Sequence, residues 1–176
     1  TATSSNSATS GTLKLTGTAN GVGLSQTVSN LAPGDVVNRY ITLTNGGSLE
    51  AKDLGLAIAT SGTSTLIADC ATSKALTVAV NSCSGSWNAT NGTCSGTTTS
   101  EISAVPLSTF TSKQAFANTK TLLASGATNL QIQVTLPDQN ETTVDGVLPA
   151  NTVQNGTVTL NYTFSEAQRA GVPTNS

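Results

Sequence analysis

The chain contains no histidine among its 176 residues. Histidine is the commonest general base at neutral pH, and it completes both His-based catalytic triads and the HExxH zinc sites of metalloproteases. The chain also lacks a glycine-rich loop that leads to Lys-Ser or Lys-Thr, so it offers no phosphate cradle of the P-loop type. These absences predict a protein that is not an enzyme and that carries no cofactor.

Charged side chains are also scarce. They make up 9% of the residues, with a net charge of -2 and a pI near 4.8, so no basic surface is available to bind nucleic acid. Thr, Ser, Asn and Gly dominate the polar positions, a composition common outside the cell, and the hydroxyl and amide groups bind water without charge. Because aromatic residues make up only 3%, we expect a core of Val, Leu, Ile and Ala.

No apolar run approaches the ~20 residues that a membrane-spanning helix needs. The chain begins with Thr1-Ala2-Thr3 and shows no charged and apolar leader. We therefore expect a protein that is secreted after removal of a signal peptide, without a membrane span, and that resides in an extracellular matrix or at the cell surface.

The stretch LAPGDVVNRYITLTNGGS, residues 31–48, shows how the chain is organised. Pro33, Gly34 and Asp35 predict a type II or related turn. In the strand that follows, alternate residues from Val37 to Leu43 are apolar, except for Arg39, and the opposite face is mostly polar. Asn-Gly-Gly then predicts a chain reversal, because Asn and Gly tolerate left-handed conformations.

The same alternation recurs along the chain. It predicts strands around Leu13 and Leu15 and over residues 24–28, 36–44, 54–59, 76–80, 129–136 and 157–164. Between them, residues 102–110 and 114–123 fit either strands or one short helix, since Ala115, Thr119 and Leu122 have helical spacing. Seven to nine short strands in all predict an all-β fold, an antiparallel β-sandwich or jelly roll.

Three cysteines are present. Cys83 and Cys94 flank a turn-rich loop, SGSWNATNGT, that one disulfide could close with Trp87 over the sulfurs, which would stabilise the fold by roughly 3 kcal/mol. Cys70 is left over, either buried and inert or the true partner of one of the others. Three cysteines without histidine do not favour a zinc site.

Two further motifs have a structural and a functional interpretation. The loop DQNETTVDG gathers Asp138, Asn140, Glu141 and Asp145, whose oxygens could bind calcium, but it lacks the EF-hand spacing and is better explained as a solvated turn. Five Asn-x-Ser/Thr triplets are candidate glycosylation sites, and a chain this rich in Ser and Thr also produces such triplets by chance. The five asparagines are Asn88, Asn91, Asn140, Asn155 and Asn161.

Three motifs in order resemble the TasA and camelysin (CalY-type) family of secreted matrix-fibre proteins. They are SGTLKL at residues 10–15, NLAPGD at 30–35 and NGGSL at 45–49, which resemble the family's SGTLDL, NLKPGD and NNGSL. The closing stretch VQNGTVTLNYTFSEAQRAG, residues 153–171, is similar to the family's last strand. The resemblance covers both ends of the chain, roughly half its length, whereas the middle with its cysteine loop departs from TasA.

The resemblance implies a jelly-roll subunit of an extracellular filament, in which the N-terminal segment of one subunit completes the sheet of the next by donor-strand exchange. The partner is then a second copy of the chain, and the filament is a head-to-tail homopolymer. Carried over by position, residues 1–10 are the donor extension and residues 11–176 the single domain, with a disulfide-closed loop. The candidate donor residues are Thr1, Ala2, Thr3, Ser4, Ser5, Asn6, Ser7, Ala8, Thr9 and Ser10.

Two other functions were weighed against this one. The camelysin name implies metalloprotease activity, which the lack of histidine does not support. A monomeric adhesion or glycan-binding module is the alternative, and an exposed aromatic such as Trp87 in a shallow groove would favour it.

Overall fold

The computed structural model describes residues 10–19 and 25–175. Within these residues the secondary structure is almost entirely β, and no helix is long and apolar enough to cross a membrane. The one α-helix described, α1 (Ser64–Ile67), has four residues, and a 3-10 helix spans Leu107–Thr111. The strands are β1 (Leu15–Ala19), β2 (Ser25–Ser29), β3 (Val36–Asn45), β4 (Ala51–Gly62), β5 (Thr77–Cys83), β6 (Trp87–Asn88), β7 (Thr93–Cys94), β8 (Thr98–Pro106), β9 (Gln114–Ala115), β10 (Thr121–Leu122), β11 (Ala127–Thr135) and β12 (Thr157–Gln168).

The strands form two main sheets and a small hairpin. The first sheet has the order β1-β3-β11-β5-β8, and the second has the order β10-β4-β12-β2, with β9 also paired to β4. The hairpin consists of β6 and β7. All these pairs are antiparallel.

Apolar side chains from both sheets form one core. Leu130, Ile132 and Val134 of β11 and Val158 and Leu160 of β12 are fully buried, while the residues between them are polar. This alternation confirms the all-β, antiparallel fold that the sequence predicts. The more specific jelly-roll pattern of connections stays a prediction.

The turn before β3 forms as predicted. The Asp35 amide donates to the Ala32 carbonyl at 2.9 Å, and the Asp35 carboxylate accepts from the Ala32 amide at 2.8 Å. Gly34 has φ 91°, the left-handed conformation that the third position of a type II turn requires. Pro33 and Gly34 thus place β3 at its register in the sheet.

The charged residue on the apolar face of β3 connects the two sheets. Arg39 donates from Nη2 to the Ser25 carbonyl of β2 at 3.1 Å. Its charge lies near Tyr162 of β12, whose hydroxyl donates to Gln26 at 2.5 Å. Burial raises the pKa of Tyr162 strongly, against a smaller opposing effect of Arg39.

Of the two middle segments, residues 102–110 form the end of β8 and the start of the 3-10 helix, whereas for residues 114–123 the helical alternative is wrong. Residues 114–123 contain the short strands β9 and β10, which pair with β4 rather than with each other. The Phe116 amide donates to the Leu54 carbonyl at 3.0 Å, and the Phe116 ring is buried in the core. These long-range contacts override the weak helical spacing of Ala115, Thr119 and Leu122.

The disulfide observed is one of the cysteine pairings that the sequence allows. Cys83 and Cys94 form a disulfide that closes the loop carrying β6 and β7. Cys70 is neither buried nor bonded: its thiol is free and the residue is half-exposed, so both hypotheses for it are wrong. Trp87 packs against the ring of Tyr40, with the ring centres 5.7 Å apart.

Candidate functional site

Of the ten candidate donor residues, only Ser10 lies within the described part of the chain, and it is exposed. Residues 1–9 lie outside the described residues. Directly after Ser10 the chain is bound to the turn that follows β3. Thr12 donates its amide to Ser48 Oγ at 2.8 Å, its carbonyl accepts from the Leu49 amide at 3.0 Å, and the Lys14 carbonyl accepts from the Gly46 amide at 2.7 Å.

Glycine is needed on both sides of this contact. A Cβ on Gly47 would lie 2.3 Å from the Thr12 carbonyl oxygen, and one on Gly11 would lie 2.4 Å from the Leu49 side chain. Leu13 and Leu15 are half-buried and pack on the subunit's own core. In this structure Leu13 and Leu15 therefore belong to the domain and not to a free N-terminal segment.

Asn45 holds this turn from inside. The residue is completely buried, and its side-chain amide nitrogen donates to the carbonyls of Leu49 at 2.7 Å and Leu122 at 3.1 Å. Its side-chain oxygen accepts from the Gly47 amide at 3.0 Å. Asn45 thus joins the last residue of β3 to both the turn and β10.

The described residues pair with only part of one edge of the last strand, β12. On one side β12 pairs with β4 along nearly its whole length, from Val158 to Gln168. On the other side its pairing with β2 is described as far as Asn161, which lies opposite Ser25, the first described residue of β2. Among residues 10–19 and 25–175, no strand pairs with residues 162–168 of β12 on the β2 side.

A shallow groove lies beside this edge. It has a volume of about 180 Å³ and opens between β1 of the first sheet and β12 of the second. The residues that line it are Leu15, Gly17, Leu43, Tyr162, Thr163 and Phe164. None of these side chains is charged, so the groove suits a neutral extended segment with small side chains.

Glu166 lies further along the same strand, at the point where the register between β12 and β4 is irregular. One of its carboxylate oxygens is buried and has no hydrogen-bond partner in the described part of the chain. Burial raises the pKa of this carboxyl group.

At the opposite edge, the two sheets are tied together by Glu101 of β8. This residue is only 2% exposed. Its carboxylate accepts from the hydroxyl of Ser82 at 2.7 Å, from the hydroxyl and amide of Thr119 at 2.5 and 2.8 Å, and from the amide of Asn118 at 2.9 Å. Burial would raise the Glu101 pKa, but these four donors outweigh it and hold the pKa below its usual value. Nothing in the sequence pattern had indicated this role.

We expect Glu101→Gln to lower the free energy of unfolding at pH 7 by about 2 kcal/mol, because an amide cannot accept from all four donors. Since the pKa of Glu101 is lowered in the folded state, its contribution is fully present above the ordinary glutamate pKa near 4.3 and is lost as the pH falls through the folded value. Urea unfolding at pH 7 and pH 3 measures both effects.

The half-exposed Glu50 is the control for this experiment. Glu50→Gln should change the urea midpoint little at either pH. An equal loss for Glu101→Gln and Glu50→Gln at pH 7, or a loss for Glu101→Gln that is unchanged at pH 3, would contradict the role of the Glu101 carboxylate.

The acidic loop considered for calcium has a different arrangement. Glu141 accepts hydrogen bonds from the Thr152 hydroxyl at 2.5 Å, the Val153 amide at 2.8 Å and the Gln154 side chain at 3.0 Å, and these contacts fasten the loop to the start of β12. Burial opposes them, but the hydrogen bonds lower its pKa. Asp145 has φ 51° in a tight turn between Val144 and Val147. Over the described residues no three His, Cys, Asp or Glu side chains are grouped to hold a metal ion.

All five candidate glycosylation sites are accessible. Asn88, Asn91, Asn140, Asn155 and Asn161 are each exposed. Asn161 lies within β12, opposite Ser25 and Ala59, with its side chain on the outer face of the sheet. Glycosylation at these positions stays a prediction.

Fold and surface together define an antiparallel β protein of two sheets that share one core, with the segment after Ser10 hydrogen-bonded to the turn that follows β3. A sequence model of the camelysin metallo-endopeptidase family matches residues 1–173. The chain therefore belongs to the camelysin family, which is also the family of TasA and CalY. A search of curated proteins found no match.

The family description names a metal-dependent peptidase, so we compared the residues present with such a centre. Zinc peptidases bind their metal through histidine together with a carboxylate, and this chain has no histidine. Within the part of the chain that is described, the carboxylates are not grouped either: Glu101 and Glu141 each accept hydrogen bonds from their own subunit. These residues do not fit a zinc peptidase centre.

Proposed function

We propose that this protein is the structural subunit of an extracellular filament, a biofilm matrix fibre or pilus-like thread, and not an enzyme. Residues 1–10 of one copy add a strand to the next copy, so that a head-to-tail homopolymer grows. Membership of the camelysin family supports this proposal, because the family is associated with extracellular and cell-surface proteins.

The observation that carries the proposal is the edge of β12. Residues 162–168 present backbone hydrogen-bonding groups on the β2 side without a partner strand in the described residues. Backbone pairing with an added strand supplies affinity without demanding a particular sequence.

The chemistry of the donor segment suits the groove. Residues 1–10 carry no charged side chain, and burying uncharged hydroxyl groups costs far less than burying ions. In an extended strand Ala2 and Ala8 lie on the same face, about 20 Å apart. A groove of about 180 Å³ lined by Leu15, Leu43 and Phe164 accommodates a small side chain of this kind.

The polymer is open because the contact is heterologous. The donor of each subunit binds a different surface from the one that carries it, so each added copy presents a new edge and a new donor. Hydrogen bonds join residues 12–14 to the turn at residues 46–49, and we call this contact the clamp. The clamp separates the donor from its own domain. We propose that the domain keeps its fold while its donor is bound by a neighbour.

Electron microscopy of the full chain beside a version without residues 1–10 tests this function. We expect filaments from the full chain and only monomers from the shortened one. If both stay monomeric across varied pH, salt and calcium concentrations, the filament proposal fails and a monomeric adhesion module is favoured. Filaments from the shortened chain would show that residues 1–10 are not the donor.

A further inference from the structure

The disulfide-closed loop folds over the outer face of the first sheet. Its two arms are joined by hydrogen bonds from the Ser84 amide to the Thr97 carbonyl at 3.0 Å and from the Ser95 amide to the Ser86 carbonyl at 3.0 Å. Asn129 of β11 holds it down by donating to the Gly85 carbonyl at 2.6 Å. The loop is therefore fixed on the sheet, and the Cys83–Cys94 disulfide closes it.

Trp87 is the only tryptophan of the chain, and it is half-buried in this loop. Its indole nitrogen donates to the Asn129 carbonyl at 3.0 Å, and its ring is tilted by 42° against Tyr40. Tyr40 points away from the core but is only 6% exposed, because the loop covers it. Trp87 is thus fixed in orientation, with part of its surface open to solvent.

A row of amide and hydroxyl groups continues from this aromatic pair across the sheet. Asn81 donates to Gln131 at 3.1 Å, and Gln131 donates to the Tyr40 hydroxyl at 3.3 Å, each from directly opposite positions on neighbouring strands. Thr42 donates to Asn129 at 2.8 Å. The polar groups around Trp87 are therefore positioned by the sheet.

Two cavities adjoin Trp87. One of about 410 Å³ is lined by Ser86, Trp87, Asn88, Thr93 and Ser95. The other, of about 180 Å³, is lined by Tyr40, Ile41, Thr42, Ser86, Trp87 and Asn129. Both linings combine an aromatic ring with hydroxyl and amide groups, and neither includes a charged side chain.

We infer that this surface is a binding site for a neutral saccharide. A sugar ring presents C–H groups that pack on an aromatic face and hydroxyl groups that both donate and accept hydrogen bonds. Serine and threonine hydroxyls and asparagine amides also donate and accept, which matches them to such a ligand. The uncharged lining offers nothing to a phosphate or a uronic acid, because such anions bind to cations or to convergent amide donors.

The rigidity of the site supports this inference. Weak ligands such as sugars gain affinity when the protein does not have to be ordered on binding. Here the disulfide, the hairpin hydrogen bonds and the contact with Asn129 fix the loop before any ligand arrives. The site is remote in sequence from the proposed donor and does not depend on filament formation.

Tryptophan fluorescence of the full chain, produced without glycosylation, reports on this site alone because Trp87 is unique. The probes are maltotriose, cellotriose, N-acetylchitotriose and, as an anionic comparison, a hyaluronan tetrasaccharide. We expect at least one neutral trisaccharide to change the emission in a saturable way, and the anionic one to have little effect. No response to any neutral probe at 20 mM, roughly the weakest binding of interest, would overturn the inference.

Calorimetry with the responding sugar then locates the site. We expect Trp87→Ala to weaken binding about tenfold or more, Trp87→Phe to weaken it less, and Thr93→Val to weaken it about threefold. The control Thr121→Val changes an exposed threonine of the second sheet and should leave binding unchanged. Unchanged affinity in both Trp87→Ala and Thr93→Val would place the sugar elsewhere and overturn the inference.

Discussion

A chain carrying Ala2→Asp and Ala8→Asp should remain monomeric at concentrations where the unchanged chain forms filaments. If residues 1–10 dock on β12 with these alanines toward the sheet, one of the two carboxylates must leave water for the groove lined by Leu15, Leu43 and Phe164, whichever alanine lies there. Such burial costs at least about 2 kcal/mol per group. This cost raises the concentration needed for assembly about thirtyfold or more. Light scattering and electron microscopy measure this directly.

The matched control carries Thr3→Asp and Thr9→Asp. It adds the same charge to the same segment at the same separation of six residues, but on the opposite face of an extended strand. We expect this variant to form filaments, with an assembly concentration raised less than tenfold by charge repulsion that salt screens. If the alanine variant and the threonine variant both fail to assemble, the added charge is responsible, and not the face of the strand that carries it. The docking geometry proposed here would then be wrong.

Strand positions could be predicted wherever one face of a strand is buried. In β11 and β12 apolar and polar residues alternate nearly without fault, since the inner face meets the core and the outer face meets water. The turn at Pro33 and Gly34 was predictable for a similar reason, because the residue types themselves select its backbone conformation. The fold class follows from such local signals.

The elements that escaped prediction depend on contacts distant in sequence. β9 and β10 have two residues each and exist only because β4 lies beside them. Tyr40 and Gln131 lie on the face of the first sheet that the alternation assigns to solvent, yet both are buried. The disulfide-closed loop covers Tyr40, and Gln131 donates a hydrogen bond to the Tyr40 hydroxyl. The role of Glu101 could not be predicted, because a single acidic residue in a strand does not reveal the four hydrogen-bond donors around it.

The candidate site was predictable in part for the same reasons. Motifs pointed to the N-terminal segment and to the turn at residues 45–49, which the structure brings into contact through Thr12 and Ser48. How far β2 pairs along β12 could not be predicted from the sequence, because the alternation of residues 157–164 looks the same whether a neighbouring strand pairs along all of it or, as in the described residues, as far as Asn161.

The second large effect is expected at Asn45. Asn45→Ala should lower the free energy of unfolding by about 2–4 kcal/mol, a large part of the 5–15 kcal/mol typical of a single domain. The side chain is completely buried, and its loss leaves the carbonyls of Leu49 and Leu122 and the amide of Gly47 without their partner. Urea unfolding of the full chain at submicromolar concentration, below assembly, gives the value.

Asn38 provides the comparison, because it lies on the same strand but is exposed. Asn38→Ala should change stability by less than about 0.5 kcal/mol. Asn45→Asp keeps the size of the side chain but sets a carboxylate against two carbonyl oxygens, so it should destabilise more than Asn45→Ala. If Asn45→Ala instead matched Asn38→Ala, the turn at residues 46–49 would keep its shape without the asparagine. The segment after the donor would then be held by the Ser48 hydroxyl and the backbone amides of Gly46 and Leu49 alone.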